Sequence, residues 1–367
     1  MNPLRSPDFE GRSLLNLVAE LELRLSGQAR SSGLASDLAL NIPLAETYVF
    51  CLFDGLGDSM LRYRAASSLA ASRVGSLDAM FPTQTTVNMA TIATGLPPSQ
   101  HGLIAYQLFL PELELVVNTL KWTTMWGERV DVDTERFLPG PNLWERLSAA
   151  GVEPITVQPG GFAASPLTKA LYRGCRFEAA WTIEEIVEAT LDLAAEPGRL
   201  IFTYFPSVDV AAHMHGQQSS VFSEVLTAAS AIWDRIVARL PAHATAVGTA
   251  DHGHIDYSPE DKVLIRDQID GITFYGNPRT AYVRGPRPAI DRLAAIQPAT
   301  WVPWDDVLPL LGPGPLNPKI RGRAPDGLLV ADPGKVLLPP TADKRMIGYH
   351  GGSLDDEMKI PLLVGSI

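Results

Sequence analysis

The stretch TYVFCLFDGLGD, residues 47–58, joins a wholly apolar run to an acidic residue. The run Thr47–Phe53 is rich in β-branched and aromatic side chains, which predicts a buried strand of a parallel sheet. Asp54 follows it directly, and Gly55 and Gly57 come soon after. A carboxylate at the end of a buried strand is costly without a partner. Asp54 is therefore either a ligand in a site at the strand end or the N-cap of a following helix.

Four further apolar runs extend this pattern along the chain. They predict strands at Pro154–Val157, Leu200–Phe205, Ala244–Thr249 and Ile360–Val364. Helical patterns lie between them at 141–150, 183–194 and 220–240. The alternation of strand and helix is typical of βαβ units. We therefore expect an α/β fold, with a mostly parallel central sheet flanked by helices and with these runs as its parallel strands.

Two segments break the alternation. Residues 102–139 are irregular, and residues 261–345 are rich in Pro and Gly around a predicted strand, TAYVR, and a predicted helix, AIDRLAAI. A length of 367 residues fits either two domains or one large α/β unit. We expect a single α/β domain over residues 1–367, with 102–139 and 261–345 as insertions or cap segments.

The composition excludes several classes of partner. With 41 acidic and 30 basic side chains, the chain has a formal net charge of −11. It lacks the broad basic surface of proteins that bind nucleic-acid polymers or anionic membranes, so any phosphate must be bound by a local device. Cys51 and Cys175 fit neither a zinc-ribbon nor a disulfide-framework spacing. No signal-peptide pattern or run of about 18 apolar residues occurs, so we expect a cytoplasmic protein.

Acidic residues with histidines close by follow two more of the predicted strands. Asp209 and His213 have an i, i+4 spacing, which places them on one face of a helical turn, where they could bind a divalent metal. Asp251 and His252 are adjacent, and both could reach one ion. His254 is the lesser candidate, because the chain has turned away from the strand end by that point. The alternatives are a surface cap with an incidental histidine and a turn of solvated polar residues.

The segment FPTQTTVNMATIATG, residues 81–95, places three threonines at the start of a predicted helix, Thr85–Thr94. A hydroxyl at a helix N-terminus lies beside free backbone N–H groups, where a phosphate oxygen can bind. Plain threonine capping is the alternative. His350 is a lone histidine in the glycine-rich segment GYHGG, and it is either a ligand or a structural residue.

Together these motifs are more informative than any one of them. Three strand ends with acidic residues, two of them with histidines, would meet at one edge of a parallel sheet, where ligands bind. The natural assembly is two metal ions about 4 Å apart that share a phosphate. Oxygen and imidazole ligands without thiolate suit Zn²⁺, and also Mn²⁺ or iron.

These motifs resemble the alkaline phosphatase superfamily, and most closely its type I phosphodiesterase and nucleotide pyrophosphatase branch. The resemblance runs in order from about residue 48 to 364. It comprises FDGLGD, FPTQTTVNMATIATGLPPSQHG, PNLWERLSAAGV, YFPSVDVAAHMHG, TADHGH and GYHGG. It implies an alkaline-phosphatase-like α/β catalytic domain.

The resemblance also implies roles for particular residues. One metal would be held by Asp54, Thr85, Asp251 and His252. The other would be held by Asp209, His213 and His350. Thr85 would be the nucleophile, Asn88 would donate a hydrogen bond to a phosphoryl oxygen, and Tyr204 would lie against a nucleotide base.

The implied activity is that of a metal-dependent phosphodiesterase or nucleotide pyrophosphatase acting through a phosphoryl-threonine intermediate. Its substrate would be a small phosphate ester, with a nucleotide as one candidate. Relatives often carry Pro-Thr-Lys-Thr-Phe-Pro-Asn at the nucleophile, whereas this chain has Gln84 and Thr86 in place of the lysine and the aromatic residue. The alternatives are a phosphomonoesterase or phosphonate hydrolase of the same superfamily, and a non-catalytic metal-binding homologue.

Overall fold

The computed structural model describes residues 3–265, 271–339 and 342–365. In chain order the described strands are β1 (Thr47–Phe53), β2 (Arg73–Asp78), β3 (Gln107–Leu110), β4 (Leu115–Asn118), β5 (Thr123–Thr124), β6 (Glu153–Pro159), β7 (Arg176–Ala180), β8 (Arg199–Phe205), β9 (Ala244–Thr249), β10 (Ile255–Asp256), β11 (Lys262–Leu264), β12 (Thr273–Gly276), β13 (Thr280–Arg284), β14 (Ala299–Pro303), β15 (Gly327–Ala331), β16 (Val336–Leu338), β17 (Gly348–Tyr349) and β18 (Lys359–Gly365).

The described α-helices alternate with many of these strands. They are α1 (Leu14–Ser26), α2 (Ser36–Ala39), α3 (Ser67–Ala71), α4 (Thr85–Thr94), α5 (Pro98–His101), α6 (Leu143–Ala149), α7 (Pro166–Leu171), α8 (Ile183–Ala194), α9 (Ser207–His215), α10 (Ser220–Val237), α11 (Arg287–Ile296), α12 (Trp304–Val307), α13 (Ile320–Arg323) and α14 (Asp355–Met358). Within the described ranges, none of these helices has both the length and the apolar character that crossing a bilayer requires.

A seven-stranded sheet lies at the centre, in the order β2-β18-β9-β1-β8-β6-β7. The five strands from β9 to β7 are parallel, which confirms the predicted α/β class. The prediction was wrong for β18, which runs antiparallel to both β2 and β9. An apolar run indicates that a strand is buried but not whether it runs parallel or antiparallel to its neighbours, because that depends on the strands with which it pairs.

Helices cover both faces of this sheet. All seven residues of β1 are buried, and alternate side chains of a strand point to opposite faces. On one face Phe53 lies 6.5 Å from Trp233 of α10, measured between ring centroids. On the other face Phe202 of β8, the register partner of Phe50, lies 6.0 Å from Trp144 of α6. Burial on both faces explains why the β1 sequence is apolar throughout.

Both interrupting segments contain regular strands. Residues 102–139, which we expected to be irregular, include the three-stranded antiparallel sheet β3-β4-β5. Residues 261–345 include a four-stranded antiparallel sheet, β12-β13-β15-β14, where TAYVR forms β13 and AIDRLAAI lies in α11. The role of these segments as insertions or caps of one domain stays a prediction.

A buried ion pair joins the four-stranded sheet to the segment that carries His350. Arg279 Nε lies 3.2 Å from Glu357 Oε1, and the two side chains are 3% and 0% exposed. Glu357 also accepts a hydrogen bond from the N–H of Gly352, and Thr280 donates one to the Gly351 carbonyl. The turn between β12 and β13 therefore holds the loop that follows His350.

We expect Arg279→Met to lower the free energy of unfolding by about 3 kcal/mol, because it leaves the Glu357 carboxylate buried without its counterion. Denaturant unfolding measures the change. Arg287→Met is the matched control, because Arg287 pairs with Asp291 on the surface, with side chains 68% and 56% exposed, and exposed pairs contribute little. Equal free energies of unfolding for the two variants would contradict a stabilising role of the Arg279–Glu357 pair.

Candidate metal centre

Three carboxylates meet at the carboxyl ends of adjacent parallel strands. Asp54 follows β1, Asp251 comes just after β9, and Asp209 lies in the first turn of α9 after β8. Since β8, β1 and β9 are neighbours in the sheet, these ends lie side by side. Asp54 does not cap a helix, because the next helical turn begins at Asp58. At Gly55 a Cβ would lie 2.8 Å from the Cα of Asp209, so a glycine is needed for this approach.

The first cluster of possible metal ligands contains Asp54, Asp251 and His252, with Thr85 beside it at the start of α4. His252 Nε2 lies 3.1 Å from Thr85 Oγ1, 3.3 Å from Asp251 Oδ2 and 3.6 Å from Asp54 Oδ1. Both of these carboxylate oxygens are buried and have no hydrogen-bond partner. Buried polar atoms are nearly always satisfied. Four converging donor atoms of this kind fit a divalent cation.

The other atom of each ligand side chain in this cluster is held by the protein. Tyr204 Oη donates a hydrogen bond to Asp54 Oδ2, and the Gly55 N–H donates to Asp251 Oδ1 at 3.1 Å. His252 Nδ1 lies 3.1 Å from the Gly253 carbonyl, which can only accept, so Nδ1 carries the proton and Nε2 is free. This arrangement orients one free donor atom per side chain toward a common point.

The electrostatics of the first cluster also favour a cation. Burial, together with the charges of Asp251 and Asp209, raises the pKa of Asp54 well above its usual value. Like charges in a buried site destabilise each other's ionised forms. A bound divalent cation is often the largest local charge and reverses this effect.

The second cluster contains Asp209, His213, His254 and His350. His213 Nδ1 donates to the Gly348 carbonyl at 2.8 Å, and His350 Nδ1 donates to the Thr83 carbonyl at 2.6 Å. Their Nε2 atoms therefore face each other with lone pairs, 3.2 Å apart. Burial, followed by the neighbouring imidazoles, lowers the pKa of His350 well below its usual value. Protonation is thus disfavoured, and these atoms fit a metal ion.

His254 belongs to this cluster, although the sequence ranked it as the lesser candidate. It is 1% exposed, and its Nε2 lies 2.9 Å from Asp209 Oδ1. Burial lowers its pKa to about 3, so the neutral ring donates its Nε2 proton to the carboxylate. Gly253 makes this possible, because a Cβ there would collide with the Asp356 carbonyl oxygen. Gly253, between His252 and His254, was the only sequence signal that the chain could bring His254 close to Asp209.

Asn88 requires a correction. Its carbonyl oxygen accepts from the Met80 N–H at 2.7 Å, and its amide donates to the carbonyl oxygens of Gln84 at 3.1 Å and Met80 at 3.4 Å. These contacts occupy the whole carboxamide, so it does not face a phosphoryl oxygen in this structure. Asn88 instead holds the segment that leads into Thr85.

Tyr204 lies beside the first cluster. Its hydroxyl group contacts Asp54, and its ring lies 6.2 Å from that of Phe162. Burial raises the pKa of Tyr204 well above its usual value, so the phenol stays a hydrogen-bond donor. Contact with a nucleotide base stays a prediction.

We expect His254→Leu to weaken zinc binding at the second cluster about 10–100-fold, the usual effect of removing a group that orients a metal ligand. Calorimetric titration of zinc into the metal-free protein measures this. His215→Leu is the control, because His215 lies on the same helix, α9, but is exposed. Unchanged zinc affinity of His254→Leu would show that Asp209 does not depend on this contact.

Solved structures share this fold. Murine ectonucleotide pyrophosphatase/phosphodiesterase 5 superposes with a TM-score of 0.68 at 18% identity, covering 87% of this chain and 88% of that one. An inactive form of the murine protein in complex with AMP gives a TM-score of 0.67 at the same identity. Phosphonoacetate hydrolase from Sinorhizobium meliloti 1021, in complex with phosphonoacetate, gives 0.65 at 18% identity, covering 89% of this chain and 91% of that one.

No curated protein sequence matches the chain significantly. Residues 51–286, however, match the family of type I phosphodiesterases and nucleotide pyrophosphatases. This match includes the ends of β1, β8 and β9, the start of α4 and every ligand candidate except His350. Since it spans more than half of the 367 residues, the chain belongs to the type I phosphodiesterase/nucleotide pyrophosphatase family.

Proposed function

We propose that this protein is a metal-dependent phosphodiesterase of the nucleotide pyrophosphatase type, with Thr85 as its nucleophile. One observation carries the proposal: the Thr85 hydroxyl oxygen lies 3.1 Å from His252 Nε2, among buried carboxylate oxygens that have no other partner. A threonine in plain helix capping would not require such surroundings. The site is thus suited to bind a cation next to the Thr85 hydroxyl group, which would make that group easier to deprotonate.

Two divalent cations would be held by the two clusters, and we propose Zn²⁺ first, with Mn²⁺ and iron as alternatives. The first cation would bind Asp54, Thr85, Asp251 and His252. The second would bind Asp209, His213 and His350, with His254 orienting Asp209. When bound, the cations would lower the pKa of the Thr85 hydroxyl and neutralise charge on the departing oxygen.

The chain's own residues then define the reaction. Thr85 Oγ1 forms a bond to phosphorus while the bond from phosphorus to the departing alcohol oxygen breaks, which leaves a phosphoryl-threonine. The Thr85 hydroxyl proton leaves with the alcohol product. Because Thr85 is the first residue of α4, backbone N–H groups without helical partners lie beside it and can stabilise the phosphoryl oxygens. The oxygen of a water molecule then bonds to phosphorus while the bond from phosphorus to Thr85 Oγ1 breaks, so that a water proton restores the hydroxyl group and a phosphate monoester is released.

Family membership indicates a class of substrate rather than one compound. A small phosphate ester fits, and a nucleotide is one candidate because the murine structure contains AMP. A phosphomonoesterase or phosphonate hydrolase is the alternative, because the Sinorhizobium enzyme binds phosphonoacetate. The cytoplasmic location and the absence of nucleic-acid and membrane partners stay predictions.

We expect Thr85→Ala to reduce turnover of bis-p-nitrophenyl phosphate by about 10³-fold or more, as for other covalent sites, while zinc content stays near that of the wild type. Steady-state kinetics and metal analysis of the same samples measure both. Thr94→Ala is the control, because Thr94 lies on α4 and its hydroxyl bonds within the helix, to the Ala90 carbonyl. Near-normal turnover of Thr85→Ala with full metal content would contradict the covalent scheme.

The same preparation separates the alternatives. A diesterase will cleave bis-p-nitrophenyl phosphate faster than p-nitrophenyl phosphate, whereas a monoesterase will show the reverse order. Release of phosphate from phosphonoacetate would indicate a phosphonate hydrolase. Two bound metals without turnover of any of the three compounds would indicate a non-catalytic homologue.

A further inference from the structure

A cavity of about 450 Å³ lies beside Thr85. His213 and His350 also line it, so it is continuous with the candidate metal centre. Much of its remaining lining comes from the two interrupting segments. Their apolar and aromatic contributors include Tyr106, Leu120, Met125, Phe274 and Tyr275, and Met346 follows directly after the second segment. This volume falls within the usual range for small-molecule sites, about 300–1,000 Å³.

The cavity wall contains little charge. Of the described residues that line it, none is a lysine or an arginine. Its carboxylates are Asp209, which belongs to the second cluster, and Asp343. Arg345 lies 2.7 Å from Asp343 and holds the pKa of that carboxyl group to about 2. Asp343 is therefore an ion pair at the wall rather than a free charge.

Lys262 does not line the cavity, and its ammonium group, which keeps its charge, is held by backbone carbonyl oxygens. It donates hydrogen bonds to the carbonyl oxygens of Met346 at 2.6 Å and Lys344 at 3.2 Å. A second anionic group of a substrate would therefore enter a cavity whose described lining offers it no lysine or arginine side chain. Burying an unpaired charge is costly, whereas apolar surface gains from leaving water.

We propose that this cavity receives an uncharged, largely apolar organic substituent of the phosphate ester and discriminates against substituents that carry a second anion. The proposal rests on the proposed function, which places the phosphoryl group beside Thr85. Such a cavity favours esters of neutral alcohols over carboxylated phosphonates and over esters whose further phosphate would lie in the cavity.

A matched ligand pair tests the preference by binding alone. Hexylphosphonate and 5-carboxypentylphosphonate differ only in a terminal methyl or carboxylate group. We expect the zinc-loaded wild type to bind hexylphosphonate about 30-fold more tightly in calorimetric titration, since an unpaired buried charge is disfavoured by this order of magnitude or more. Equal affinities, tighter binding of the carboxylate, or binding of neither ligand would overturn the proposal. Turnover is not needed, so failure of the proposed function remains distinguishable.

A cation added to the wall should reduce the preference. Met125→Lys places an ammonium group in the cavity lining, and we expect the ratio of the two affinities to fall at least about tenfold, because an opposite charge now compensates the carboxylate. Trp126→Lys is the control, because Trp126 is the next residue, is 82% exposed and does not line the cavity. An unchanged ratio in Met125→Lys would overturn the assignment of the substituent to this cavity.

Independently, two polar atoms next to Thr85 are buried without hydrogen-bond partners. They are Gln84 Nε2 and Thr86 Oγ1, on side chains that line the cavity. Gln84 is 1% exposed, and its Oε1 accepts the Tyr106 N–H. That bond fixes the orientation of the amide and leaves the NH₂ group free. A buried donor without a partner is destabilising unless a ligand supplies the acceptor.

We infer that the Gln84 amide donates a hydrogen bond to a phosphoryl oxygen of the bound substrate, the role that the sequence analysis assigned to Asn88. Gln84→Glu keeps an oxygen for the Tyr106 N–H but replaces the donor with an anion. We expect its affinity for orthophosphate to fall about 100-fold at unchanged zinc content, because a charge-assisted donor is lost and a repulsive charge is added.

Gln100→Glu is the control for Gln84→Glu, because the Gln100 amide donates to the Pro313 carbonyl and does not line the cavity. Calorimetric titration of the zinc-loaded proteins with orthophosphate gives the affinities. Unchanged affinity in Gln84→Glu, or an equal loss in both variants, would overturn the inference. Gln84→Lys should retain phosphate binding, since it restores a donor and adds a cation.

Discussion

The structure depends on the close approach of three carboxylates that pair with no lysine or arginine side chain among the described residues. Asp54, Asp209 and Asp251 lie at the ends of adjacent strands, and burial, together with the charges of Asp251 and Asp209, raises the pKa of Asp54. Such an arrangement is stable only with protons or cations between the groups. The first cluster is arranged to bind a cation. In each of its carboxylate and imidazole side chains, one polar atom is hydrogen-bonded to the protein and the other is available as a metal ligand.

Parts of the chain far from the sheet serve the same centre. His350 reaches it from a loop whose following residues are held by the β12–β13 turn and by the buried pair of Arg279 and Glu357. The 102–139 segment contributes cavity wall on the other side. Under the proposed function, a chain of net charge −11 would bind an anionic ester through bound cations and oriented donors rather than through its surface.

Much of the fold was predictable from residue type and spacing, whereas the division of the candidate ligands into two groups came from the family resemblance. The limits of α4 and α8 match their predicted bounds, because capping and helical periodicity are local properties. The direction of β18, the pairing of β4 with β3 and β5, and the partners of Asn88 were not predicted. The direction of β18 depends on which distant strands lie alongside it, and no local pattern encodes that. The β3–β4 pairing and the Asn88 contacts join residues close in sequence, but the residue types there gave no signal of them.

The sequence by itself determined the buried parallel strands and the chemical types at their ends, because burial on both faces demands apolar runs and a carboxylate there demands a partner. Only the tertiary structure decided that His254 turns back to Asp209, that Gln84 rather than Asn88 has a free amide beside Thr85, and that the cavity wall is apolar. These features arise where segments from β3 to β17 converge. Contacts between residues far apart in sequence follow from packing, not from neighbouring residues.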